Sequence, residues 1–366
     1  MILRRLLLLL GASLLATMPV APHAQERVVN VFNWNDYIDP AMLERFTRET
    51  GIRVRYDVFD SLETLEGRLS AGRSGYDIVV PTSEPTFSRL ARVGGLLPLD
   101  RAQIPNLGNL DPALMRQVAS SDPGNRFGAP YLWGTIGLGV NEARVRALAP
   151  DAPMDSLALL FDPRHASRIA RCGITMMDSA TDVIPTVLRY LGRDPNSTSN
   201  DDLRAVEQAL MAIRPRIRNF STGGVIEALA SGQTCLAFAY SGDVIQAAAR
   251  AAEAKQGVEV RYVAGKEGAQ VWFDLLAIPA DAPNPANAHA FINFLLQPDV
   301  MAAITTAVGY PNGIPASRAL VAPEIANDPA VFPDEALRAR FFTIGPVPQA
   351  AERARNRMWA RFKAGR

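Results

Sequence analysis

The chain has 366 residues, 48% hydrophobic and 20% charged, which is enough for two folded domains of ordinary composition. A formal net charge of +1, with no recurring basic block, argues against a nucleic-acid partner. The three histidines lack metal-ligand spacing, and no nucleophile elbow, Walker-type phosphate loop or complete dinucleotide fingerprint occurs, so no catalytic residue, cofactor or metal is expected.

Arg4-Arg5, the apolar run Leu6 to Leu15 and small residues up to Ala24 read as a secretory signal over residues 1–24, too short to span a bilayer. No cysteine follows the apolar run and nothing later approaches a membrane span, so the mature chain is expected free in the periplasm. Cleavage removes Arg4 and Arg5 and no acid: 38 basic side chains less two leaves 36 against 37 acidic ones, near neutrality. Cys172 and Cys235 suit an oxidising compartment, where a pair is most simply a disulfide; two free thiols are the alternative.

Arg27 to Phe32 has strand character and runs into Asn33-Trp34-Asn35-Asp36-Tyr37-Ile38, a loop rich in aromatic and polar side chains. Asp39 and Pro40 are an N-cap and a first helical residue, and the helix is expected to run to Gly51. A strand at Ile52 to Phe59, a helix from Ser61 to Ala71 and a strand from Tyr76 to Pro81 complete a βαβαβ alternation. That order predicts a mostly parallel sheet with helices on both faces. Tyr131 to Asn141 reads as a long β segment whose glycines make it a candidate hinge.

A second alternation starts at Cys172. Strands are expected at Gly173 to Asp178, Arg216 to Phe220 and Thr234 to Tyr240, with helices at Asp182 to Gly192, Asp201 to Arg214, Gly224 to Ser231 and Gly242 to Lys255. Strands at Val258 to Val263 and Val271 to Pro279 follow, then helices over 285–297, 299–307, 334–341 and 348–364. The expected fold class is α/β with two lobes and a ligand cleft between them.

Aromatic residues recur beside carboxylates at predicted strand ends: Trp34-Asn35-Asp36-Tyr37, Tyr240-Ser241-Gly242-Asp243 and Trp272-Phe273-Asp274. Ring faces attract ammonium groups and cover methylene chains, while carboxylates form short charge-assisted bonds to the charged ends. Sugar sites combine the same residue types, and a pair of glycosidase carboxylates has no signature in sequence. Asp243 read alone is also a helix N-cap. Asp274 lies in an apolar strand, where an unpaired carboxylate is costly.

In this order the residues resemble the periplasmic polyamine-binding proteins of bacterial ABC transporters, nearest the putrescine branch. The resemblance spans nearly the whole mature chain. It is carried by Phe32 to Ile38, Tyr56-Asp57-Val58-Phe59-Asp60-Ser61, Asp77 to Pro81, Tyr190 to Thr198 and Lys266-Glu267-Gly268-Ala269. It implies the type II two-lobed binding-protein fold, with lobe 1 over residues 25–135 and 256–317 and lobe 2 over 136–255 and 318–366.

The resemblance also implies a ligand site. Trp34, Tyr37, Tyr240, Trp272 and Tyr310 fall on its aromatic positions, and Asp182, Asp243 and Asp274 on its acidic ones. Thr82 and Thr222 fall on hydroxyl positions, Asn35 on a Ser or Thr position, and Glu84 on a position expected to be neutral. Trp272, Asp182 and Tyr240 would accommodate a longer ligand such as spermidine, whereas the overall likeness points to putrescine. The implied partners are a linear polyamine and an inner-membrane ABC permease, with the chain itself a monomer. The alternatives are a binder of another cationic amine or guanidine compound feeding a sensor, and a secreted carbohydrate-active enzyme.

Overall fold

The computed structural model describes residues 27–365; the expected secretory signal lies outside them. β1 (Val28–Trp34) extends two residues past the expected strand and delivers Trp34 to its carboxyl end. The helix Pro40–Thr50 follows as expected. The Asp39 side chain accepts from the Ala41 N–H, and Gly51 closes the helix at φ 69°, a left-handed conformation that favours glycine. β2 (Arg53–Phe59), the helix Leu62–Ser70 capped by Ser61, and the short β3 (Ile78–Val79) complete the first alternation.

β4 (Gly128–Val140) has thirteen residues, nearly all buried. Beyond it lie β5 (Ile174–Met176), β6 (Asn219–Phe220), β7 (Leu236–Tyr240), β8 (Arg261–Val263) and β9 (Val271–Ala277). The ladder runs β2-β1-β3-β9-β4-β7-β5-β6, with β8 also on β4. β2, β1 and β3 are mutually parallel, as are β7, β5 and β6.

The expectation of a mostly parallel sheet needs correction at the centre. β9 is antiparallel to β3 and to β4, and β4 is antiparallel to β7 and β8. The cause is connectivity. The returning chain, β8 then β9, retraces β4 from its far end to its near end, with no crossover helix between the two strands to restore a parallel direction.

β4 ties the two halves together. Gly128 to Thr135 pair with β9, and Ile136 to Val140 pair with β7, so the partner changes between adjacent residues. The expected return to the first lobe at residue 256 falls later. β8 still pairs with Leu138 to Val140, and the chain regains the first half only at Val271. Ala322 N–H donates to Thr306 Oγ1 on the helix Pro298–Val308, and Arg318 stacks over Phe332. The closing helix Gln349–Ala364 packs on the second half, with Trp359 edge-on to Phe220 and its Nε1 donating to Asp178.

Phe32, Phe59, Tyr76 and Phe87 cluster within the first half, while a larger continuous cluster runs through both halves, from Val29, Phe46 and Phe291 to Phe161, Ile174, Val187 and Phe238. Cys172 and Cys235 precede the adjacent strands β5 and β7 and are disulfide-bonded, with 5.7 Å between their Cα atoms.

Candidate functional site

A cavity of about 420 Å³ lies where the carboxyl end of β1, the middle of β9 and the ends of β5 and β7 converge. All twelve residues singled out from sequence line it: Trp34, Asn35, Tyr37, Thr82, Glu84, Asp182, Thr222, Tyr240, Asp243, Trp272, Asp274 and Tyr310. Its charge is one-sided. Six carboxylates line it (Asp36, Asp60, Glu84, Asp182, Asp243 and Asp274), against one base, Arg116, which is exposed.

The rings form a cage. Trp272 and Tyr310 meet edge to face with centroids 5.3 Å apart, Tyr37 and Tyr310 at 5.2 Å, and Tyr240 and Trp272 at 5.6 Å. Its close approach depends on two glycines. Gly134 lies opposite Trp272 in the β4–β9 ladder, and a Cβ there would stand 2.6 Å from the indole Cζ2. A Cβ on Gly242 would penetrate the Tyr310 ring. Trp34 forms a neighbouring wall, its Nε1 donating to the Val80 carbonyl at 3.0 Å. The Tyr37 loop is fixed by Tyr131, whose hydroxyl donates to the Tyr37 carbonyl at 2.8 Å.

Asp274, Asp243, Asp182 and Glu84 are held by neutral side-chain donors. Thr82 and Asp274 stand opposite one another in a backbone bridge, which puts their side chains on one face, and Thr82 Oγ1 donates to Asp274 at 2.6 Å. Asp274 is 3% exposed, and burial pushes its carboxyl up to about 7; the Thr82 hydroxyl and the nearby Tyr37 hydroxyl oppose the shift and the Asp182 charge adds to it. Burial likewise raises Asp243 to about 7, with the Asp36 carboxylate adding to the rise and the Tyr310 hydroxyl and Arg250 opposing it. Asp243 sits in the first turn of the helix Ser241–Ala254, but the helix has no side-chain cap. The N-cap role read from sequence is therefore replaced by acceptance from Tyr310 at 2.8 Å.

Asp182 occupies the same place in the helix Ala180–Tyr190 and accepts from Ser179, Tyr240 and Gln270 at 2.7, 2.9 and 2.9 Å. Its pKa is raised, chiefly by burial. Glu84, 8% exposed, accepts from Ser88 Oγ at 2.6 Å. Asn35 is exposed at the cavity, and Thr222 is half-buried.

Sequence reasoning passed over Gln270, Ser179 and Ser88. Gln270 had a signal: with Trp272 and Asp274 it continues the period of two that puts alternate strand residues on one face. Ser179 and Ser88 had none, since a hydroxyl three or four residues from an acid is common.

Three buried polar atoms on the cavity-lining residues have no hydrogen-bond partner in the protein: the Tyr37 hydroxyl, Trp272 Nε1 and Gln270 Oε1. Gln270 Oε1 and the Tyr37 oxygen can accept from a ligand N–H, whereas Trp272 Nε1 is a donor only and calls for an acceptor. The interior suits a small molecule that is cationic, has apolar stretches to lie against rings, and brings its own N–H donors.

Two α/β halves sharing a strand, with an open cleft between them, define a two-lobed solute receptor. The chain belongs to the bacterial extracellular solute-binding protein family, whose model matches residues 41–333. It is 44% identical over 348 residues to the putrescine-binding periplasmic protein SpuD of Pseudomonas aeruginosa, covering 95% of each chain. It is 42% identical to the putrescine-binding periplasmic protein PotF of Escherichia coli, covering 98% of this chain and 97% of that one. Among solved structures it resembles the spermidine/putrescine ABC transporter substrate-binding protein PotD of Streptococcus pneumoniae, with a TM-score of 0.76 and 28% identity over 93% of this chain and 99% of that one.

Proposed function

We propose that this chain captures a linear polyamine in the periplasm and presents it to the permease of an ABC importer, acting as a monomer and by binding alone. The observation that carries this reading is the pair of carboxylates Asp243, half-buried, and Asp274, buried, which face a cage of four aromatic rings and accept only neutral side-chain donors, with a third acid, Asp182, in the same cavity. Acids of this kind require cations from outside, and a polyamine brings them on a methylene chain that the rings can cover. The names of SpuD, PotF and PotD support both the ligand class and the compartment.

Within this reading the described residues of the 25–135 segment, from Arg27 on, form the body of one lobe and 136–255 the body of the other. Asp36 and Arg250 meet across the gap at 3.3 Å, and Arg89 and Glu352 at 3.5 Å. Both pairs are exposed, so they contribute little to holding the lobes shut, and the ligand is the principal closing element.

The test is calorimetry and thermal melting with putrescine, spermidine, cadaverine, agmatine, arginine and a neutral disaccharide. A polyamine is expected to raise the melting temperature with concentration and to be recovered unchanged. No response to any amine, or turnover of the sugar, would refute the reading. Asp274→Ala is expected to weaken binding by roughly 3 to 5 kcal/mol, because it leaves a desolvated ammonium without its partner.

A further inference from the structure

Four acids of the cavity, Asp182, Asp243, Asp274 and Glu84, differ in how much acceptor capacity they have left. A carboxylate has about four lone-pair sites. Asp182 has given three to Ser179, Tyr240 and Gln270, all neutral side chains of the protein. Its position is thereby locked, and little remains to meet a ligand. Glu84 is the reverse case: it lines the same cavity, is buried, and accepts one hydrogen bond, from Ser88 to Oε2.

Glu84 and Asp182 line the same cavity. Pro85, the next residue, lines an adjoining cleft with Thr181 and Ile344, and both of these line the main cavity as well. Thr181 is the immediate neighbour of Asp182. The cavity therefore holds one carboxylate already satisfied and one largely unsatisfied. The orphaned Gln270 Oε1, on the amide that holds Asp182, adds an unpaired acceptor there.

Resting on the polyamine reading, we propose that Glu84 reads the third positive charge of the ligand, so that the cavity discriminates triamines from diamines, while Asp182 acts as a positioning residue that holds Tyr240 and Gln270 in the wall. Asp243 and Asp274, each with one neutral side-chain donor, take two ammonium groups. A diamine satisfies those two and leaves Glu84 unmet. A triamine reaches all three.

Calorimetry on the mature protein at one pH and ionic strength tests this, with putrescine carrying two charges and spermidine three. Glu84→Gln keeps the size of the side chain and can still accept from Ser88, so it removes charge with little change in packing. It is expected to lower spermidine affinity by roughly tenfold or more beyond any loss for putrescine, the effect of one charge-assisted contact. The salt dependence of spermidine binding should weaken as well, which a merely structural role would not produce. Glu84→Asp should recover part of the discrimination.

Equal losses for the two amines, or no loss for either, would overturn the role of Glu84. A wild-type protein that binds neither would instead overturn the polyamine reading. If Glu84→Gln melts much lower than wild type, Ser88→Ala decides the matter: it leaves the Glu84 charge in place and should retain the preference for spermidine, and its loss would count against the proposal.

Discussion

The Tyr310 hydroxyl donates to the Asp243 carboxylate at 2.8 Å, and the same oxygen accepts the Asp243 backbone N–H at 3.2 Å. One phenol thus fixes an acid in the first turn of a helix and closes one side of the aromatic cage. Tyr310→Phe keeps the ring and removes both bonds. Polyamine binding is expected to weaken by about 1.5 to 3 kcal/mol, the usual worth of a hydrogen bond to a charged group. Calorimetry checks it, and unchanged affinity would mean that the hydroxyl only decorates the wall.

Gly242 is the companion of that contact, because a side chain there would occupy the Tyr310 ring. Gly242→Ala is expected to displace the ring and to destabilise the protein by about 1 to 3 kcal/mol, as overpacking does. Its effect on ligand affinity should overlap that of Tyr310→Phe, so the double variant is expected to lose less than the sum of the two. Additive losses in a double-mutant cycle would show that the two positions act independently.

Proton linkage follows from Asp243 and Asp274, both held at about 7 mainly by burial. An unfolded aspartate titrates near roughly 4, so between about pH 4 and pH 7 the folded chain keeps protons that the unfolded chain has released. The contribution of these groups to the stability of the ligand-free protein therefore falls as pH rises through that window. Asp274→Asn should remove part of that slope, seen as a smaller fall in melting temperature between about pH 5 and pH 7.5.

A cationic ligand reverses the preference by favouring the ionised acids. Binding near pH 6 is expected to release protons, and affinity should rise with pH up to about 7 and then level off. Calorimetry in two buffers of different ionisation enthalpy measures the release directly. Equal heats in both buffers would show that the acids are already ionised before the ligand arrives.

The disulfide joins residues 63 apart in sequence, and neither cysteine lines the cavity. Closing a loop of that length contributes about 4 kcal/mol in the chain-entropy model. Replacing both cysteines with alanine is expected to lower stability by an amount of this order while leaving ligand affinity nearly unchanged. Denaturant titration with and without polyamine separates the two quantities.

Much of the site was legible because its parts are local. Asp39-Pro40 and Gly51 mark a helix start and stop within a few residues, and Trp272 and Asp274 are two apart on a strand, which puts them on one face. The sheet directions at β4 were hidden, since strand character carries no sign. The state of Asp182 was hidden too: its donors Tyr240 and Gln270 lie 58 and 88 residues away, brought in by separate strands. A sequence can suggest that an acid faces a cavity, but its remaining acceptor capacity depends on neighbours that only the fold brings together.

β4 has a mechanical consequence. At its point of exchange the Ile136 N–H donates to the Gln270 carbonyl at 3.0 Å, and the Thr135 N–H donates to Ser241 Oγ at 3.3 Å, beside the cage. Turning one half of the molecule against the other twists the strand at that point, and the twist is passed to Gln270, the residue that anchors Asp182. One backbone bond thus links the strand shared by the two halves to the residue that holds an acid of the cavity wall.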